Sequence, residues 1–106
     1  STLHVKLDVS HHGGAKGELP CDAPDSGSLT VSASQVAGLH ALGTAGYPTI
    51  VLSRRAVGSV VIGAGRVDLN VLSSVEREVQ LPGLQSCTVD SQCPGGQHCQ
   101  ANLSCK

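Results

Sequence analysis

Aromatic side chains are nearly missing: Tyr47 stands alone among 106 residues, with no Phe and no Trp. Without them there is no stacking platform for sugar rings or bases, which argues against a typical carbohydrate-binding module and against single-strand nucleic-acid binding. Charge is also scarce. Asp, Glu, Lys and Arg make up 14% of the chain and the formal net charge is -1. With a pI near 6.5, no electrostatic argument favours nucleic acid or an anionic membrane as partner. No apolar run approaches the ~18 residues of a membrane span, so no membrane insertion is expected. Nor does any stretch have the apolar core of a signal peptide. Met is absent and Ser1 comes first, so a processed mature protein or an excised domain is expected. Ser, Thr and Gly supply much of the polarity, as is common in secreted β proteins.

What is present in force is cysteine. Cys87, Cys93, Cys99 and Cys105 recur every six residues near the end of the chain. Between them only Val89 and Leu103 are large and aliphatic. A segment with so little to bury folds only if covalent links replace the core. The comb is therefore read as two disulfides, which places the protein in an oxidising compartment: secreted, at the cell surface or periplasmic.

Upstream, the patterning is that of short strands. Leu3, Val5, Leu7 and Val9 alternate with His4, Lys6, Asp8 and Ser10, the period-2 signature of a half-buried strand. A second strand is expected near Gly17–Asp22, demoted to an edge by Pro20 and Pro24. Leu29 and Val31 mark a short third. Ser32 and Gln35 fit a capping box, opening one helix that Gly43 is placed to end. Thr49–Ser53 is β-branched and apolar on both faces, as in a central strand. Val57–Ile62 follows, broken by Gly58. Val67, Leu69 and Val71, then Val75, Val79 and Leu81, hold one parity. A straight strand of that length would outrun a small domain, so a bend is expected at Ser73-Ser74. These signals add up to a mainly β chain: an antiparallel, immunoglobulin-like β-sandwich over residues 1–84 with one short helix, and a disulfide-stapled knob over residues 85–106.

The stretch Cys-Asp-Ala-Pro-Asp-Ser-Gly-Ser-Leu-Thr-Val-Ser-Ala-Ser-Gln-Val (21–36), with Val-Leu-Ser-Arg (51–54), resembles β-sandwich domains in secreted proteins and lipoproteins of myxobacteria and relatives. The tail, Cys-x5-Cys-Pro-x-Gly-x2-Cys-x5-Cys, is similar to Cys-rich motifs appended to such proteins, and distantly to the disulfide knobs of colipase and dickkopf proteins. The resemblance implies secretion and fold rather than an activity. Pairing in the colipase-like knobs crosses first to third and second to fourth. Carried over, this implies Cys87 with Cys99 and Cys93 with Cys105. Those knobs hold further cysteines that this chain lacks, and four cysteines by themselves allow three connectivities.

Five cysteines leave one over. Cys21 reads as a buried strand thiol behaving as a small hydrophobe. The sharper alternatives are a bond from Cys21 to Cys87, or to a second chain. Zinc is the rival use of the comb, with His98 as a further ligand, although Cys-x5-Cys is wider than the usual metal-binding pair.

Other motifs invite function less strongly. Val9-Ser10-His11-His12-Gly13-Gly14 looks like the His-His-Gly segment of metallo-β-lactamase-fold hydrolases, but the His-x-His-x-Asp-His cluster of that family is missing. His11 and His12, with His4 or Asp8, remain candidates for weak divalent-metal binding. Asp22, Asp25 and Asp68 are candidate calcium ligands without the dense ligand series such sites need. There is no Gly-x-Ser-x-Gly nucleophile elbow, and Gly63-x-Gly65 is not a phosphate loop. Pro94-Gly95-Gly96-Gln97 is an exposed turn of the kind that protease inhibitors present, yet it holds no Lys, Arg or large apolar residue.

The expected function is that of a non-enzymatic extracellular or cell-envelope module needing no cofactor. It would act in structure or protein interaction, with a self-assembling surface or fibre subunit, joined through an edge strand at 17–22 or 66–81, as one form of that role. A small protease inhibitor and a metal-binding protein using His11 and His12 are the alternatives.

Overall fold

The computed structural model describes all residues, 1–106. Four strands form a single antiparallel sheet: β1 (Thr2–Asp8), β2 (Glu18–Pro24), β3 (Thr49–Ile62) and β4 (Gly65–Glu78), in spatial order β2-β1-β3-β4. One helix, α1 (Ala33–Ala41), joins β2 to β3. A single 3-10 turn at Asp90–Gln92 is the last regular element.

Local chemistry explains each piece. β2 carries Pro20 and Pro24 and lies at the sheet edge, where missing N–H groups cost least. The apolar start of β3 lies between β1 and β4. At the helix start, the Ser32 hydroxyl accepts from the Gln35 N–H (3.3 Å) and the Gln35 side-chain oxygen accepts from the Ser32 N–H (3.2 Å). Gly43, at φ 103°, takes the left-handed position just past the helix end.

The register sorts the sheet into two faces. Val5 lies between Cys21 and Leu52, with Val75 beyond Leu52; Leu7 lies between Leu19 and Ile50. These share one face, because residues directly opposite in a ladder point the same way. Helix α1 sits over one end of that face. Its Leu39 is buried, as is Val5 in the sheet. The other face carries His4, Lys6, Asp22 and Glu18.

A sandwich needs a second sheet facing the first. This chain supplies none, and the helix is the only element over the apolar face. Leu29 and Val31 are not a strand. The β1–β2 ladder ends at the pair Thr2 and Pro24, so residues past Pro24 have no neighbouring strand to join. The bend expected at Ser73-Ser74 is also corrected. β4 runs unbroken for 14 residues, as does β3 through Gly58.

The reason is that β3 and β4 outrun their neighbours. β1 pairs with β3 only as far as Arg55. Beyond it, residues 56–71 form a two-stranded arm that leaves the body. The chain measures 69 × 29 × 20 Å, and its radius of gyration is 18.8 Å, where a compact chain of this length has about 13 Å. Only 11 of the 106 residues are buried, so the core is small.

The tail closes on itself and on the body. Cys87–Cys99 and Cys93–Cys105 are disulfides with S–S distances of 2.07 and 2.00 Å. Cys87 is fully buried. The Gly46 N–H donates to the Asn102 carbonyl (2.8 Å), and the Ser86 hydroxyl donates to the Gly46 carbonyl.

Candidate docking surface

The arm is held in shape by its turn. Gly63-Ala64 is a two-residue loop closed by the pair Ile62 and Gly65, with Gly63 at φ 60°. A positive φ at the first central position alone is the type II′ hairpin turn, whose twist matches that of the strands.

Its two faces differ in chemistry. On one, Arg55 Nε donates to Asn70 Oδ1 (3.0 Å). On the same face Asp68 Oδ1 accepts from both the Ser59 hydroxyl and Arg66 Nε, each at 2.7 Å. The Ser59 hydroxyl and then the Arg66 guanidinium hold the Asp68 carboxyl below the usual carboxylate range. The opposite face is built from the pairs Ala56–Val71, Gly58–Leu69, Val60–Val67 and Ile62–Gly65. None of these eight residues carries a charge or a polar side chain.

On this face the pair Arg54–Ser73, with Arg54 held by Asp25, separates the apolar residues of the arm from Leu52 and Val75 of the body, and no element covers the arm. Ile62 and Leu69 are each 64% exposed, and Val60, Val67 and Val71 lie between 52% and 53%. Leaving such side chains in water forfeits the main driving force of folding. The whole chain exposes 7096 Å², where a folded monomer of this mass exposes about 5,500 Å².

The other sequence candidates are scattered. His11 stands with its Nδ1 3.7 Å from Asp8 Oδ2 and its Nε2 3.9 Å from Glu76 Oε1. The ring of His12 lies 4.0 Å from that of His11, and the His12 backbone has φ 64°. His4 is elsewhere, on β1, with its Nδ1 2.5 Å from Asp22 Oδ1. The three aspartates proposed for calcium are apart, each with its own partner: Asp22 with His4, Asp25 with Ser1 and Arg54, Asp68 with Ser59 and Arg66. The Ser1 hydroxyl, and after it the Arg54 guanidinium, lower the Asp25 pKa.

The sulfurs of Cys87, Cys93 and Cys105 lie within 4.8 Å of one another. All are consumed in disulfides, so no thiolate is left for zinc in this state. Cys21 is a free thiol, half-buried on the apolar face opposite Val5. The turn at Pro94–Gln97 is closed by the Gln97 N–H on the Pro94 carbonyl (3.0 Å) and points into solvent.

Sequence reasoning named 66–81 only as an edge. It missed the apolar face because it assigned a bend inside β4. The signal was there in Val60 and Ile62 before a Gly-Ala turn and Val67, Leu69 and Val71 after it, because a two-residue hairpin loop brings even positions of one strand and odd positions of the next onto one face.

No protein-family model matches this chain, and neither does any curated protein or solved structure. No helix is long and apolar enough to cross a membrane.

Proposed function

We propose that this chain is a non-enzymatic protein-interaction module of the cell exterior or envelope, acting as a building block of a surface assembly. The observation that carries the reading is the uncovered apolar face of the arm. Soluble monomers seldom expose a contiguous apolar patch of this kind without a use for it. The opposite face mixes Val57, Val61 and Leu72 with the hydrogen-bonded Arg55, Ser59, Arg66, Asp68 and Asn70, which hold the hairpin in register and leave the wholly apolar side as the one to dock. The two disulfides favour an oxidising compartment and give the tail resistance to proteolysis. The resemblance of residues 21–36 and of the cysteine tail to secreted myxobacterial proteins points the same way.

A hydrophobic fluorescent dye of the anilinonaphthalene sulfonate type tests this reading when combined with sedimentation velocity. The expected result is that the native protein either binds dye or associates as concentration rises, with the β-sheet circular dichroism unchanged. A chain that stays monomeric and dark across the micromolar range would overturn the reading.

A further inference from the structure

We propose that the occupant of the apolar face is a second copy of this chain, packed face to face about a two-fold axis. This rests on the docking reading above and goes beyond it in naming the partner and the geometry. Three observations carry it.

The first is area. The surface in excess of a monomer of this mass is about 1,600 Å², and one partner in a standard-size interface buries about 800 Å². Shared between the two faces of the arm, that excess is about 800 Å² a face, so the apolar face of the arm alone is large enough for a stable pair.

The second is Gly58. Glycine in the middle of a strand weakens it, and there it marks a bulge or a close approach by another backbone or ligand. Gly58 is no bulge, since the ladder runs regularly through it to Leu69. Its φ is not positive, and a Cβ built on it meets nothing within 4 Å. Nothing inside this chain calls for a glycine there, and unlike Gly38 and Gly95, which have the same open space, Gly58 lies in the middle of the uncovered apolar sheet face.

The third is self-complementarity. Leu69, the largest exposed side chain of the central pairs, stands directly beside the Gly58 notch. A two-fold contact is isologous: if one residue touches another on the partner, the reverse contact follows. Leu69 of each copy then fills the Gly58 notch of the other. The eight arm residues bring no charge into the contact, and Arg54 at the base of the same face is already paired with Asp25, so the pair leaves no buried ion unpaired. Two sheets stacked in this way are the sandwich that the sequence pattern suggests, built from two chains instead of one.

Strand addition along the free edge of β4 is the rival geometry, and the amides separate the two. Bonded pairs alternate along an antiparallel ladder. The two-residue turn makes Ile62–Gly65 a bonded pair, so the N–H groups of Asp68, Asn70 and Leu72 point to the open edge. Face packing leaves those three amides exchanging fast; edge pairing protects them.

The test is sedimentation equilibrium of the full oxidised chain, with Gly58→Val and with amide exchange by NMR. We expect a dimer of about twice the 10.7 kDa chain mass, with the Asp68, Asn70 and Leu72 amides unprotected. Gly58→Val fills the notch and weakens dimerisation by at least about tenfold. It leaves the monomer as stable as before or more so, because Val favours strands. A wild-type monomer at every micromolar concentration overturns the second-copy proposal. If that monomer still binds the dye, the docking reading survives with another partner; if it does not, both fall. A dimer with protected edge amides, or one indifferent to Gly58→Val, also overturns the geometry.

Discussion

Gly58 lies directly across the ladder from Leu69, on the open face of the β3–β4 arm, with empty space above it. A small residue beside a large one on an exposed sheet face makes a notch and a knob. Gly46, by contrast, is explained by the chain itself. At Gly46, which has φ +57°, a Cβ would run into the His11 carbonyl and the backbone of Gly13. The contrast between these two glycines separates what the fold needs from what an outside surface needs.

Gly58→Ala should stabilise the isolated monomer by about 0.5–1 kcal/mol, the usual gain on replacing glycine inside a regular element. Urea denaturation below the association range measures it. A loss of stability would mean that the space above Gly58 is filled within the chain.

Gly46→Ala should do the opposite. Both the backbone angle and the close approach of His11 and Gly13 resist a side chain, and the cost is expected to be about 2 kcal/mol or more. Because the Gly46 N–H also holds the Asn102 carbonyl, the tail should detach from the body. Amide exchange at position 46, whose N–H makes that bond, reads it directly. Wild-type protection in the variant would contradict the packing described.

Removing one bridge by Cys93→Ser with Cys105→Ser should cost the tail on the order of 3 kcal/mol, as expected for opening a loop of this size. The sheet buries its own residues, so its far-UV signal should survive while the tail becomes sensitive to protease. Equal loss of sheet and tail would show that they unfold as one unit.

The Asp90 carboxylate ties the knob together, with Oδ2 3.0 Å from His98 Nδ1 and Oδ1 accepting from the Cys99 N–H at 2.8 Å. These bonds, that to His98 first, hold its pKa below the ordinary value. A carboxyl with a depressed folded pKa stabilises the fold above its unfolded pKa, and that stabilisation is lost as pH falls through the folded value. Tail protection should therefore stay flat, as far as Asp90 is concerned, from neutral pH down to about 4, and decline below it. In Asp90→Asn the acid-dependent part of that decline should vanish. A carboxyl-carbon NMR titration of Asp90 with a midpoint above the usual aspartate range would contradict the geometry.

Much of this molecule is legible in its residues. The alternation from Leu3 to Val9 marks β1, Ser32 with Gln35 marks the helix start, and the proline pair in β2 marks an edge. Each of these depends on neighbours close in sequence. The single sheet was not legible, because strand count depends on which segments find partners. Leu29 and Val31 have the composition of a strand but no ladder to join. The parity run from Val67 to Leu81 suggests a strand too long to stay straight in a small domain, yet β4 runs straight on for 14 residues. That inference assumes that every strand is covered by its own chain, and the arm breaks the assumption. The histidines were legible as residue types but not as a group, since His4 faces Asp22 while His11 sits by Asp8 and Glu76.

The central claim is that one face of the arm docks and the other does not. Val60 and Val61 are consecutive, both exposed, and on opposite faces. Sedimentation of Val60→Glu beside Val61→Glu, with dye binding read on the same samples, tests it most directly. Val60→Glu should abolish association and dye binding, and Val61→Glu, across from Arg66, should leave both intact. Equal behaviour of the two variants, or loss in Val61→Glu alone, would contradict it.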